Sequence, residues 1–335
     1  MAHLGRHAVV IGASMGGLLA GRALTDYYDE VTLIDRDVLP LTYEPRKGVP
    51  QGGHTHGLLA RGREVLDQLF PGFTAEMVAE GAVSGDVANA VLWFNHGFYF
   101  RNVHSKLSGL AISRLMLECG VRRRLLQFPN ARIRQRRDVI GPICDLDRNR
   151  VTGVQVASRN SDEVETINAD LVVDASGRGS RSPSWLEALR YAKPRDERIK
   201  VNIGYKTLYG DALCSFNPVY GQGITAACTE ALTLRECLAK GPEGIGRRFF
   251  RAAGLLIDIP WQIAVGSDLQ HERVEGKRTA QVRLVNWYIA KLFRSANRDP
   301  ILATKFLEVA NLMKTPSTLL KPAVALRVWK GQLLT

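Results

Sequence analysis

Apolar positions along the chain first run continuously, then fall at helical spacing. Ala8-Val9-Val10-Ile11 reads as a short buried strand, and Gly12-Ala13-Ser14-Met15-Gly16-Gly17 follows as a glycine-rich turn. A helix is predicted from about Gly16 to Tyr27, with Leu19, Ala23 and Leu24 on one side. Val31-Thr32-Leu33-Ile34-Asp35 reads as a second strand. Strand, turn, helix and strand in this order make a βαβ unit, which implies parallel pairing in a sheet covered on both faces.

Downstream, a helix is predicted near Leu59–Phe70, stopped by Pro71-Gly72. Residues 83–111 are aromatic and strand-like. Ser113 caps a helix running to about Phe128, with Leu115, Met116, Cys119 and Leu126 on one face. Residues 131–174 read as short strands with a turn at Asp147–Asn149. Leu171-Val172-Val173 reads as a further buried parallel strand, ending in Asp174-Ala175-Ser176-Gly177-Arg178-Gly179-Ser180. After Gly221-Gln222-Gly223 a long helix runs to about Leu238, and the chain beyond Pro242 is helical. There Val282, Val285, Ile289 and Leu292 form a stripe, and Asp299-Pro300 and Thr315-Pro316 are helix starts.

The chain of 335 residues carries a formal net charge of +12. From Arg273 to Thr335 twelve Lys/Arg face three acids, a local excess of +9. Two readings stand for this tail: a solvated helical face, or a surface that meets anionic lipid or an acidic partner. Leu319, Leu320, Val324 and Val328 with Lys314, Lys321, Arg327 and Lys330 likewise fit a packed helix or an interfacial one. Nucleic acid is not expected, since no known binding module is visible. No apolar run reaches the ~18 residues of a spanning helix. The N-terminus lacks secretory features, and five scattered cysteines without a C-x-x-C pair suggest reduced thiols. These features imply a cytoplasmic protein, which under the second reading of the basic tail would also be peripheral to the inner face of the membrane. His54 and His56 lack the further ligands a metal needs, so no metal is expected. Trp185, Trp261, Trp287 and Trp329 read as packing residues.

The first turn has the logic of a dinucleotide site. Gly12 permits the tight turn, small Ser14 lets the backbone approach a pyrophosphate, and Gly17 permits close packing of helix on strand. Free N–H groups at the helix start favour phosphate. Asp35, at the end of the second strand, suits a ribose hydroxyl.

Further motifs carry a resemblance. Gly210-Asp-Ala-Leu-Cys-Ser-Phe-Asn-Pro-Val-Tyr-Gly-Gln-Gly223 resembles the second FAD motif of the FAD-dependent monooxygenases of the aromatic-hydroxylase (para-hydroxybenzoate hydroxylase-like) superfamily. Arg46-Lys-Gly-Val-Pro-Gln51 with His54-Thr-His56, and the variant turn Gly12-Ala-Ser-Met-Gly16, resemble the sub-branch of bacterial polyether epoxidases, relatives of squalene epoxidase. The resemblance implies an α/β fold: a Rossmann-like FAD-binding domain of the glutathione-reductase type, a truncated β-sheet substrate domain and a C-terminal helical region. It implies that residues 1–180 form the first part of the FAD domain, with inserted strands. Residues 181–209 would be a shortened remnant of the substrate domain, 210–242 the second part of the FAD domain, and 243–335 the helical region.

By the same resemblance Gly12, Ser14, Gly16 and Gly17 would hold the FAD pyrophosphate and Asp35 the adenosine ribose. Arg46 and Arg114 would contact FAD, and Val139 would lie beside the adenine. Asp211 and Pro218 belong to the second motif, where Asp211 would bind the pyrophosphate–ribityl region. Gly221, Gln222 and Gly223 would present N–H groups to the flavin N1/O2 edge. The implied reaction is epoxidation or hydroxylation of a lipophilic substrate through a flavin C4a-hydroperoxide, with no catalytic side chain required.

Two departures qualify that reading. Ser176-Gly177 stands where the family usually has Asp-Gly, which puts direct NAD(P)H binding in question and leaves NAD(P)H, a separate reductase or diffusible reduced flavin open as the electron donor. Only a short segment separates Ser180 from Gly210, where relatives hold most of the substrate-binding sheet. A non-catalytic or partner-completed flavoprotein is therefore a second reading, and a flavin-dependent reductase of isoprenoid double bonds a third.

Overall fold

The computed structural model describes residues 3–46, 55–145, 147, 150–192, 221–271 and 274–333. Its elements begin with β1 (Gly5–Ile11), α1 (Met15–Leu24), β2 (Tyr28–Ile34), β3 (Thr55–Leu58), α2 (Ala60–Leu69) and α3 (Phe73–Ala79). Four strands follow, β4 (Val83–Asp86), β5 (Phe94–Asn95), β6 (Phe98–Tyr99) and β7 (Ser108–Ser113), then α4 (Arg114–Leu125). A second run of strands comprises β8 (Ala131–Arg134), β9 (Arg137–Cys144), β10 (Val151–Ser158), β11 (Val164–Asn168) and β12 (Leu171–Asp174). The remainder is helical: α5 (Ser182–Ala188), α6 (Gly223–Leu238), α7 (Ile245–Asp268), α8 (Ala280–Ala296), α9 (Pro300–Ala310) and α10 (Pro322–Leu333).

The main sheet has the order β12-β1-β2-β8. β1 pairs in parallel with both β12 and β2, and β2 in parallel with β8. Val9, Val10, Val31 and Leu33 are fully buried, as central parallel strands require. α1 covers one face through Leu18, Leu19, Ala23 and Leu24, all fully buried, each leucine adding about 2 kcal/mol of apolar burial. The other face meets the antiparallel sheet β11-β10-β9 through Val139, Val154 and Val156. A third sheet, β3-β7-β4, carries α2 and α4 on its flank.

α6 packs on both α1 and α2. The α2 contact is close: a Cβ at Gly62 would lie 2.6 Å from Thr225 Oγ1. The C-terminal helices form their own apolar cluster around Phe293, Leu302 and Leu307, into which Phe100 and Leu107 project. The fold is thus an α/β assembly with a Rossmann-like parallel sheet, built largely as the apolar pattern predicts.

Several expectations are corrected. Helix α4 ends at Leu125, and Leu126 is exposed; Leu117, Val121 and Leu125 form the buried face with Met116 and Cys119. The α8 stripe shifts towards the C-terminal end: Val285 is exposed, while Leu292, Phe293 and Ala296 are buried. The expected helix over 315–330 is interrupted at Lys321-Pro322, because a proline cannot donate to the preceding turn. Trp287 and Trp329 are exposed, not packed. The short helix α5, with Pro183 in its first turn, follows β12 and was not anticipated. Among the described residues no helix is long and apolar enough to cross a membrane.

Candidate functional site

The carboxyl ends of β12, β1 and β2 lie side by side, since Ile11 is in register with Asp174 and with Ile34. The three segments that leave this edge are Gly12–Gly17, Asp35–Asp37 and Ala175–Gly179. In open α/β sheets this edge is where ligands bind.

Gly12 has φ +95°, and a Cβ there would lie 2.7 Å from the Ala175 carbonyl oxygen. A Cβ on Gly17 would fall 1.8 Å from the Gly12 carbonyl oxygen, inside any contact distance. The turn therefore tolerates no side chain at either position. Ser14 is the N-cap of α1, yet its side chain makes no capping bond, and the first turn of α1 carries no acid. The N–H groups of this helix start are left to an external acceptor. Asp35 is buried and accepts from the Ala13 N–H at 2.7 Å and from the Asp37 N–H at 2.9 Å. The acid predicted to meet a ribose is thereby held against the turn predicted to meet a phosphate.

Beside this turn lies a buried ionic cluster. Ser113 accepts from the Met116 N–H at 3.1 Å, capping α4 as predicted and fixing Arg114 at its first position. Glu118, one turn on, accepts from Arg46 Nε at 2.8 Å, Arg114 Nη2 at 3.2 Å, Arg122 Nη2 at 2.9 Å and Ser14 Oγ at 3.0 Å. Arg114 also donates to Ser14 Oγ at 3.0 Å. Arg46 reaches Asp37 at 2.9 Å and stands 3.8 Å from Asp35. Burial alone would raise the Glu118 carboxyl, but Arg114, Arg46 and Arg122 hold it below the usual carboxylate range. The Arg46 guanidinium is destabilised by burial, yet Glu118, Asp35 and Asp37 raise it above its ordinary value. Four predicted residues, Ser14, Asp35, Arg46 and Arg114, are thus joined in one network.

Glu118, Arg122 and Asp37 were not predicted. The spacing Arg114, Glu118, Arg122 was the available signal, because residues four apart share one helix face. Val139 is placed differently from the rest. It is buried in the apolar layer between sheets, and its carbonyl accepts from Arg181. Gly16 lies in the first turn of α1. At the position of the missing Asp-Gly, Asp174 accepts from the hydroxyls of Ser176, Ser180 and Ser182. The serines replace that motif with a closed local network.

Gly221, Gln222 and Gly223 form the start of α6, where Gln222 makes no side-chain cap and no acid occupies the first turn. A Cβ on Gly221 would lie 3.8 Å from the Gly57 carbonyl oxygen, which puts this helix start beside β3. Gln222 Oε1 and Thr225 Oγ1 are buried with no hydrogen-bond partner among the described residues. His56 lies on β3. Asp211, Pro218 and His54 lie outside the described residues.

Two uncapped helix starts, a buried acid at the strand end and paired arginines are the features a dinucleotide site would use. The fold is similar to that of several solved flavoproteins and monooxygenases. A flavoprotein/dehydrogenase from Cytophaga hutchinsonii superposes with a TM-score of 0.62 at 13% identity, covering 98% of each chain. The p-nitrophenol 4-monooxygenase PnpA from Pseudomonas putida gives 0.60 at 13%, covering 93% of this chain and 99% of its own. The Diels-Alderase PyrE3 of pyrroindomycin biosynthesis gives 0.58 at 11%, covering 91% and 80%. At these identities the likeness is one of fold, and the fold hosts more than one chemistry. No family model matches the chain. In sequence it is 40% identical over 212 residues to protein Rv3254 of Mycobacterium tuberculosis, a stretch covering 59% of this chain and 44% of that relative. The chain therefore spans less than half the length of that relative.

Proposed function

We propose that this protein binds FAD along the carboxyl edge of its parallel sheet and acts as a flavin-dependent monooxygenase on a lipophilic small molecule. The observation that carries the reading is the contact of buried Asp35 with the Ala13 N–H at 2.7 Å, which ties the ribose acid to the phosphate turn. The residues fit the cofactor. Ser14, Gly16 and Gly17 would take the pyrophosphate on backbone N–H groups, Gly12, whose own N–H donates to the Ile34 carbonyl, would shape the turn, and Arg46 and Arg114 would offset the charge. Asp35 would accept from a ribose hydroxyl, and Val139 would flank the adenine with its backbone. Asp211 and Pro218 would complete the second half of the site.

Bound flavin supplies redox chemistry with dioxygen, leading to epoxidation or hydroxylation. The chain supplies electrostatics. The uncapped N-terminus of α6, through Gly221, Gln222 and Gly223, offers positive potential to negative charge on the flavin N1/O2 edge. The unpartnered Gln222 Oε1 is a further acceptor at that helix start.

In this reading residues 1–180 and 210–242 form the flavin-binding part, 181–209 a shortened remnant of the substrate domain and 243–335 a C-terminal helical region. Ser176 in place of the acid that the resemblance leads one to expect favours electrons from a separate reductase or diffusible reduced flavin over direct NAD(P)H use. The test is the visible spectrum of the purified protein, then anaerobic NADPH addition and readmission of oxygen. Bound flavin with oxygen-dependent product supports the monooxygenase. Bound flavin yielding only peroxide, or none reducible without a second chain, supports the partner-completed flavoprotein. Oxygen-independent saturation of an isoprenoid would favour the reductase. Failure to bind FAD overturns all three.

A membrane-peripheral location is part of the proposal. α10 buries Val324 and Val328 but exposes Leu326, Trp329 and Leu333 on its opposite face, near Lys330. An apolar face beside cations suits an anionic lipid surface. Salt-sensitive sedimentation with anionic vesicles is expected, and its absence removes this part.

A further inference from the structure

Glu230 lies on α6, seven residues beyond Gly223, and is only 7% exposed. It has no hydrogen-bond or ion-pair partner among the described residues, and burial alone pushes its carboxyl up to about 7. An isolated buried carboxyl is costly, so its surroundings bear on its purpose.

Those surroundings are a cleft of about 200 Å³ where α2, α6 and α7 meet the chain following α9. Glu230, Leu256, Ile257, Pro260 and Met313 line it, and Arg61 and Lys314 bring two cations to its wall. Pro260 sits inside α7 and has no N–H, so the Leu256 carbonyl lacks its helical donor. The cleft is thus an apolar space offering two under-used polar groups, a carboxyl and a carbonyl. A cavity of about 150 Å³ holds benzene, so this space accommodates a skeleton of one or two rings.

The polar group of the ligand follows from charge. Arg61 and Lys314 disfavour a cation, and Glu230 disfavours an anion. A hydroxyl suits Glu230 in both states, accepting from the acid and donating to the carboxylate. We propose that this cleft binds a small lipophilic alcohol or phenol, its hydroxyl on Glu230 and its carbon skeleton against Ile257, Pro260 and Met313. This site needs no flavin, so it stands apart from the function proposed above.

The test uses the full chain and two probes of equal skeleton, 1-naphthol and naphthalene, titrated by fluorescence below the Glu230 value of about 7. Naphthol is expected to bind about tenfold more tightly, the yield of one net hydrogen bond. Glu230→Leu should erase that preference while leaving naphthalene bound. Ile257→Trp, which fills the cleft, should weaken both probes about tenfold or more. Equal affinity for the two probes in the unmodified protein, or no binding of either, overturns the proposal. So does a preference that survives Glu230→Leu, or binding untouched by Ile257→Trp. Should Glu230→Leu fail to fold, the probe preference and Ile257→Trp decide between the outcomes.

Discussion

The side chain of Asn311 accepts from the backbone N–H of Ala60 at 3.0 Å, joining the end of α9 to the first residue of α2. Asn311 is fully buried, and its own amide donates to the Leu307 carbonyl at 3.0 Å. It is a rigid link between the C-terminal helices and the helix that seats α6. Asn311→Ala should cost about 1–3 kcal/mol, because it strands a buried N–H. Urea unfolding measures it, and an unchanged midpoint would show that water replaces the link.

Gly17→Ala should abolish nucleotide binding. The added Cβ would sit 1.8 Å from the Gly12 carbonyl oxygen, so the turn must move away from α1. FAD retention on a desalting column and the thermal midpoint report the two consequences. Retained FAD with an unchanged midpoint would mean that the turn is not where the phosphate binds.

Glu118→Gln should destabilise the fold by about 3–5 kcal/mol, since it leaves three buried arginines with a neutral partner. The pH dependence has a definite sign. The folded-state carboxyl is depressed, so its contribution is complete above the unfolded value and fades as pH falls through the folded one. The gap between the two proteins should be constant near neutrality and close in acid. A gap that widens in acid would contradict the cluster.

Glu230 predicts the reverse. Its carboxyl is raised from 4.5 to about 7, so the stability it contributes is present below 4.5 and lost as pH rises to about 7. Glu230→Gln should therefore be more stable than the parent above neutrality, by up to about 3 kcal/mol, and equal to it below 4.5. Urea midpoints across that range decide, and parallel curves would mean that Glu230 is solvated.

The nucleotide edge was largely legible in the sequence because its signals are local. Val9, Val10, Val31 and Leu33 form continuous apolar runs, and Gly12, Gly17 and Asp35 occupy fixed offsets from them. Ser113 announced its helix by capping chemistry. Glu118 escaped notice because, beyond Arg114 and Arg122 on its own helix, its partners Ser14 and Arg46 come from two separate segments distant in sequence. Glu230 escaped because nothing in a helical run of mixed residues tells which acid will be enclosed. Trp287 and Trp329 were misjudged since apolar character fixes a preference for burial, not its fulfilment.

Parallel pairing of β1 with β12 has a consequence for how the chain acquires its shape. Ala8 through Ile11 find their partners at Leu171 through Asp174, and α1 finds its cover in α6 still further along. During synthesis the first strand emerges with one edge that only a much later segment can close. Contacts of such sequence separation slow folding, since a long loop must be closed before they form. A nascent chain halted before β12 would present that edge to other chains, so the earliest part of the nucleotide site is also its aggregation-prone part until the middle of the chain arrives.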